Sequence, residues 1–265
     1  MGETEIGSER TRVTRLPERA HYDRDTVNGI LDEGLICHLG FVDEEQPFVI
    51  PTAYARVGDV LYVHGSAASR ALRVLGRGAA VCITVALTDG LVLARTIFNH
   101  SFNYRSAVIL DTATEVTDAA EKLNSLHLLT DQLLPERWDE ARVPNEQQLK
   151  ATSILRVPID EASAKVRVGP PGDEGEDLEF RVWAGVIPFE LRAGATPSWR
   201  MTFRLPPTRL AGPDAERRLV SPRFLGVADG TRTRDNRDHN PGLYRLSYGH
   251  HEALLTIAEG RYDTA

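Results

Sequence analysis

Two stretches of this chain concentrate the residue types that hold or move charge. The first, Tyr62-Val63-His64-Gly65-Ser66-Ala67-Ala68-Ser69-Arg70, carries an imidazole, two serine hydroxyls and a guanidinium. A strand that runs into a small-residue turn and then a helix can aim backbone N–H groups, the hydroxyls of Ser66 and Ser69 and the Arg70 cation at one anion, with the helix dipole adding attraction. That is the chemistry of a phosphate seat. The plain alternative makes Ser66 an N-cap and Arg70 a solvated helix residue. The second stretch gathers Arg95, Asn99, His100, Ser101, Asn103, Tyr104, Arg105 and Ser106. Polar groups at that density are costly to bury unpaired, so they face water or line a polar ligand. Tyr104 and Arg105 directly precede the apolar run Ala107 to Leu110, where a flat ring and a cation would sit beside a planar ligand. His64 and His100 both fall at strand ends, where a histidine is more often a hydrogen-bonding residue than a catalyst. Lys165, one of three lysines, lies in Ser163-Ala164-Lys165-Val166-Arg167, which reads as a cationic loop facing either an anion or water.

Other familiar chemistry is missing. No P-loop, strand-borne GxGxxG, CxxC, HExxH or GxSxG occurs, so triphosphatase, dinucleotide-binding, zinc and α/β-hydrolase readings lose their main support, and no metal site is expected.

The elements that must position these residues follow from periodicity. Val27, Ile30 and Leu31 recur at helical spacing over 23–32, with Asp23 or Asp25 as cap and Gly34 as stop. Leu35 to Val42, Phe48 to Arg56 and Val60 to His64 read as an antiparallel meander. A helix follows, capped by Ser66, carrying Ala68, Leu72 and Leu75 and ended by Gly76 as a C′ residue. Ala80 to Leu87 and Leu91 to Ala94 flank Asp89-Gly90, a strong hairpin signal. Asn103 to Val116 is a long strand, and Asp118 and Glu121 open a leucine-rich helix that Pro135 closes. Pro144 to Ala151 is a short helix, and Ile154 to Ile159 and Phe180 to Leu191 are strands. Six or more short strands with local helices predict a mainly β protein, an antiparallel barrel with peripheral helices.

Composition narrows the class. In 265 residues, 42% apolar and 26% charged is the balance of a chain that buries a sizeable core. The net charge of −7 argues against nucleic acid, and no run approaches the roughly 20 apolar residues of a membrane span. The acidic Met1-Gly2-Glu3-Thr4-Glu5 has no apolar h-region, which predicts a cytoplasmic location. Cys37 and Cys82 lie in apolar runs and read as buried free thiols.

The order of several segments adds a resemblance. Ile36-Cys37-His38-Leu39-Gly40-Phe41, Pro47-Phe48-Val49-Ile50-Pro51-Thr52, Leu61-Tyr62-Val63-His64-Gly65-Ser66, Asp89-Gly90-Leu91-Val92-Leu93-Ala94-Arg95 and Asn103-Tyr104-Arg105-Ser106 occur in register. From about residue 19 to 192 the chain resembles the pyridoxamine 5′-phosphate oxidase-like flavin-binding split-barrel proteins, in the branch that includes nitroimidazole reductases. The resemblance implies a homodimer of six-stranded antiparallel split barrels with FMN at the interface. It places Ile50, Pro51 and Thr52 along the isoalloxazine, Ser66, Ser69 and Arg70 at the phosphate, and Tyr104, Arg105 and Ser106 on a neighbouring strand completing the site. His64 falls where nitroimidazole reductases carry an active-site histidine. The implied activity is flavin-dependent oxidation or reduction of a small planar molecule, with His64 as proton donor or substrate anchor. A non-catalytic flavin- or haem-binding module is the alternative, with His38, His64 and His100 as candidate axial ligands; a deazaflavin in place of FMN is a third. Two departures stand out. The arginine- and histidine-containing substrate segment of true pyridoxamine-phosphate oxidases is absent, which argues against vitamin B6 oxidation. Asp111 replaces an expected glycine, putting a carboxylate where backbone would approach closely.

The ends fall outside this pattern. Residues 1–18 read as a flexible lead. Residues 193–265 match nothing in the group; over 196–265 the chain holds 11 Arg, no Lys and 8 acidic residues. Back-translating Gly-Thr-Arg-Thr (230–233) to GGGACTCGAACC and reversing it gives GGTTCGAGTCCC, the form of a transfer-RNA T-arm, and 242–248 yields D-arm-like GTAGCTCAG in the proper order. The expectation is a reading-frame extension into a neighbouring RNA gene. Sequencing the locus tests it, and a locus with no such gene on the opposite strand excludes it.

Overall fold

A computed structural model of the chain describes residues 5–192. The chain divides into two units, Met1–Arg223 and Phe224–Ala265, and every described residue belongs to the first. The expected extension over 193–265 lies outside the described residues.

The strands are β1 (Ala20–His21), β2 (Ile36–Asp43), β3 (Gln46–Val57), β4 (Val60–Ser66), β5 (Ala80–Leu93), β6 (Ser101–Thr112), β7 (Thr114–Glu115), β8 (Thr152–Pro158), β9 (Ala162–Arg167) and β10 (Gly185–Pro188). The helices are α1 (Arg24–Glu33), α2 (Arg70–Leu75), α3 (Ala119–Leu133), α4 (Arg137–Glu140) and α5 (Glu146–Ala151). All pairings are antiparallel, in the order β1-β9-β6-β5-β2-β3-β4-β8-β7, with β10 beside β5. Because β6 runs on into β7 through the buried Ala113, the two form one continuous strand that pairs with β5 and β9 first and with β8 last. The ladder β6/β7-β5-β2-β3-β4-β8 thereby closes on itself. This is the expected mainly β, six-stranded antiparallel barrel with peripheral helices, and closure leaves few open edges.

Period-2 alternation fills its interior. Cys37, Leu39 and Phe41 on β2, Leu61 and Val63 on β4, Val81, Ile83 and Val85 on β5, and Leu155 and Val157 on β8 point inward and are buried. Helix α1 adds Val27, Ile30 and Leu31 to this core; each contributes about 1.5–3 kcal/mol of transfer free energy. Asp23 caps α1 by accepting from Thr26 N at 2.7 Å, as its spacing predicts. Gly34 caps the helix in an extended conformation, and its lack of a side chain is steric: a Cβ there would meet the Tyr54 hydroxyl and Val85 Cγ1 at 2.5 Å.

Several expectations change. Asp89-Gly90 is not a hairpin turn. β5 is one continuous strand, and its ladder with β6 shifts register between Thr88 and Gly90, a bulge that leaves Asp89 out of the pairing. The segment 162–167 is a strand and not a loop; its alternation of small residues with cations has little apolar signal to betray it. Helix α2 begins at Arg70 with Ser69 as N-cap, so Ser66 is not the cap. Gly76 keeps a right-handed φ of −63°, and the left-handed residue is Gly78. Over 180–191 only Gly185–Pro188 is strand. Residues 5–18, read as a flexible lead, are pinned: Ile6 and Thr11 are buried, Ala162 N donates to Ile6 O at 2.8 Å and Lys165 Nζ to Arg15 O at 2.7 Å. Cys37 and Cys82 are free; Cys37 is buried, and burial pushes its thiol up to about 12, while Cys82 is only half-buried. Among the described residues no helix is long and apolar enough to cross a membrane.

Candidate functional site

Strands β3 and β4 pair only from Tyr54↔Val63 to Val57↔Val60. Beyond Val63, β4 stays on β8 through Ser66↔Thr152, while the first half of β3 stays on β2 from Gln46 to Ala53. The strands therefore part, and the barrel is split between Ala53 and His64. Ile50, Pro51 and Thr52 form one lip and His64, Gly65 and Ser66 begin the other. The β3 lip is a free edge in mid-barrel. Pro51, which has no N–H to offer, suits such an edge. Ile50, on the same face of β3 as the fully buried Tyr54, is 42% exposed. Unpaired backbone beside exposed apolar side chains is a surface that accepts a flat ring with polar edges.

The other lip carries the polar groups. Ser66 Oγ accepts from Ala68 N at 3.2 Å, and Ser66 O accepts from Ser69 N at 2.8 Å, which folds the turn tightly. The Ser69 hydroxyl makes no cap hydrogen bond. Gly65 lets α2 approach, since a Cβ would lie 3.0 Å from Leu72 Cδ2. Arg70 stacks on Phe48 with Cζ 4.8 Å from the ring centroid, and Phe48 stacks on Phe41 at 5.4 Å. Its carboxylate neighbour, Asp43, is 3.7 Å away, and the Arg70 side chain is 58% exposed, so much of the cation stays open to solvent.

His64 lies at the mouth of the split, on the outer face of β4 beside Ile154 of β8. Its Nδ1 is buried and has no hydrogen-bond partner, one of three such side-chain atoms among the described residues. Burial alone lowers its pKa, so the ring is held neutral. An unpaired, desolvated ring nitrogen is costly, and ligand or water normally meets that cost. The other two histidines differ. His100 Nε2 is engaged with Ala94 O at 3.1 Å, while His38 sits on the outer face of β2 opposite Pro51 and Thr84.

The β6 residues do not join this opening within one chain. The order β3-β2-β5-β6 puts three strand spacings, about 14 Å, between Ile50 and the Tyr104–Ser106 segment. Along β6 the side chains also divide. Arg105 turns to the α1 side, where its guanidinium pairs with both Asp89 and Glu33; Asp89 Oδ1 lies 2.6 Å from Nη2. These two carboxylates hold its pKa above the ordinary arginine value. With two carboxylates on one cation, little charge is left for a phosphate. Tyr104 and Ser106 lie on the opposite face, beside Arg167 and Lys165 of β9. Asp111 accepts from Thr112 N and lies near the Arg10–Glu161 ion pair, a setting that supplies its own partners.

Sequence reasoning missed Asp173. Its side chain is 2% exposed, accepts from Arg95 N at 2.9 Å and pairs with Arg95 Nη1 at 3.2 Å. Together with Asn99 Nδ2 donating to Gly172 O, it fixes the loop between β5 and β6, whose tip exposes Ile97 and Phe98. Nothing local in a turn-rich run of Gly, Pro and Asp marks such a residue.

The fold and the split define a class, and comparison with known proteins agrees. The family model for pyridoxamine 5′-phosphate oxidase matches residues 23–166, more than half of the chain, and the chain belongs to that family of split barrels. Two solved structures are similar over most of their length. The flavocytochrome Anf3 from Azotobacter vinelandii is 40% identical, with a TM-score of 0.69, over 77% of this chain and 94% of that one. The FAD and haem binding protein from Mycobacterium smegmatis is 34% identical, with a TM-score of 0.67, over 71% of this chain and 94% of that one. No curated protein matches the chain.

Proposed function

We propose that this chain is a flavin-binding redox protein that also binds haem, which His64 would hold through its imidazole. The observation that carries the haem half is the half-buried His64 imidazole at the mouth of the split: iron takes an unprotonated ring, and burial favours that form. The names of the two similar proteins, a flavocytochrome and an FAD and haem binding protein, support the pairing of cofactors. His100 is the weaker candidate because its Nε2 already serves Ala94 O.

The residues present also fit a flavin. Ile50, Pro51 and Thr52 give the ring an apolar edge with free backbone groups, while Ser66, Ser69 and Arg70 give a phosphate two hydroxyls and an exposed cation. A bound flavin supplies hydride or one-electron chemistry, which the protein orients and tunes. Phe48, stacked under the Arg70 guanidinium, holds it in place. The separation of Tyr104 and Ser106 from the split favours a homodimer in which a second copy brings β6 to the site. Arg105 is the weakest of the site assignments, since Glu33 and Asp89 occupy it. Oxidoreduction of a small planar substrate, with FMN in the role of flavin, is the narrower form of this reading.

An absorption spectrum of the protein as purified tests it. The expected spectrum shows flavin bands and a Soret band, and His64→Ala removes the Soret band while leaving the flavin bands. A Soret band that survives His64→Ala would move the ligand elsewhere, and a spectrum without flavin would overturn the reading.

A further inference from the structure

The outer face of β6 and β9 collects cations that no carboxylate neutralises. The register sets Lys165 beside Ser106 and Arg167 beside Tyr104, and alternation puts all four side chains on one face. They span about 7 Å along the strands and about 5 Å across them, the footprint of one small anion. Burial lowers the Arg167 pKa, and the charge of Arg19, just before β1, lowers it further, while Tyr104 acts the other way.

Neutral groups hold these cations. Arg167 Nη1 donates to Asn103 Oδ1 and Nη2 to Pro170 O at 3.3 Å, which leaves most of its five donors unclaimed among the described residues. Lys165 Nζ donates to Arg15 O at 2.7 Å. The Ser106 hydroxyl is spent on Lys165 O at 3.3 Å, so Tyr104 is the neutral donor of the group. Neither Lys165 nor Arg167 forms an ion pair among the described residues, whereas Arg10, Arg24, Arg56, Arg95 and Arg105 all do. Arg19 reaches one carboxylate, the solvent-facing Glu18 at 3.8 Å. Half-buried like charges without a counterion carry an electrostatic cost that a bound anion relieves. Strand β6 is paired on both sides here and spends its N–H groups on the ladders, so the face lacks the backbone cradle that phosphate takes. A planar guanidinium fork beside an ammonium matches a carboxylate.

This face is continuous with the exposed side of the β2–β3 hairpin. Cross-strand partners share a face, so Val49, Gly40 and Cys82 form one row. Ala86 lies on the same face of β5 as Cys82 and stands opposite Ser106, which stands opposite Lys165. A second copy that brings Tyr104 and Ser106 to the split therefore brings Lys165 and Arg167 with them.

We propose that Lys165 and Arg167, with Arg19, select a substrate that carries a carboxylate on a planar body, the acid group held on the β6–β9 face of one copy and the planar part lying at the flavin of the other. This selectivity rests on the flavin and homodimer reading above.

The test titrates the full, flavin-loaded chain with benzoate, benzamide and phenyl phosphate, followed by calorimetry and by the flavin absorption bands. Lys165→Gln/Arg167→Gln removes both charges and Lys165→Arg/Arg167→Lys keeps them; circular dichroism and sedimentation check that each variant is folded and assembled like wild type. Wild type should bind benzoate about 10-fold or more tighter than benzamide, with shifted flavin bands. The Gln variant should lose that preference at unchanged flavin content, and the charge-keeping variant should retain most of it. Phenyl phosphate bound tighter than benzoate through the same cations assigns the site to phosphate esters and overturns the carboxylate choice. Benzoate binding that needs the cations but leaves the flavin bands unmoved puts the acid away from the flavin and overturns the substrate role. A chain that takes up no flavin yet binds benzoate through these cations removes the flavin reading and leaves the anion site standing. Benzoate and benzamide bound alike by wild type, or benzoate bound by the folded Gln variant as by wild type, overturns the selectivity.

Discussion

His64 is an imidazole whose surroundings decide its charge. Burial lowers its pKa below the ordinary 6.5, so between that value and its folded pKa the unfolded chain binds a proton that the folded one does not. Its contribution to stability is therefore present above pH 6.5 and is lost as pH falls through the folded pKa, at no more than about 1.4 kcal/mol per pH unit. Urea unfolding at pH 7.0 and 5.5 measures this. Acidification should destabilise the wild type more than His64→Gln, and equal losses would show that burial does not hold the ring neutral. The residue type at position 64 was visible in the sequence. Its orphaned Nδ1 was not, because burial there depends on how β4 is placed beside β8, a part of the chain far away in sequence.

The bulge in β5 shows how an element can be misread and still matter. Asp-Gly favours a tight turn when both flanks can fold back, but here both flanks find β6 as a common partner, so the extra residue is absorbed as a bulge. The bulge turns Asp89 to Arg105, and Arg105 in turn grips Glu33 at the end of α1, tying helix to barrel. Arg105→Met should destabilise by about 2–3 kcal/mol in urea unfolding, below the range for fully buried pairs because all three side chains stay partly exposed. The triple change Arg105→Met, Glu33→Gln and Asp89→Asn should recover part of that loss, since the single variant leaves two carboxylates without their cation. If the triple variant is the least stable of the set, the cluster does more than neutralise charge. Strand β9 escaped detection for the opposite reason. Ala, Ser and Lys carry no β signal, and only the outer slot beside β6 makes them a strand.

At the scale of the whole molecule, the outer face of the β2–β3 hairpin leaves large apolar side chains in water. Ile36, Val42 and Val49 are 48%, 57% and 65% exposed. A face of this kind on an otherwise well-buried barrel suits docking, and the proposed second copy would cover it. Val49→Glu places a charge at its centre without touching the core. Sedimentation should then show a monomer where the wild type is a dimer, with flavin content falling in step; a Val49→Glu dimer would place the interface on another face. What the sequence by itself determined is what local physics controls. The apolar alternation of β2 to β5, the Asp23 and Asp118 caps and the polar turn after β4 are each decided within a few residues. Motif order added the family, since Ile50-Pro51-Thr52 and His64-Gly65-Ser66 keep their register in the chain. Only the tertiary structure decided that β3 and β4 part beyond Tyr54 and Val63. It also decided that Arg105 and Ser106 face opposite ways, and that Lys165 and Arg167 stand together beside Tyr104. Strand pairing across distant segments fixes register and face, and a one-residue step along a strand reverses the side chain's direction, so those facts exist only once the barrel has closed.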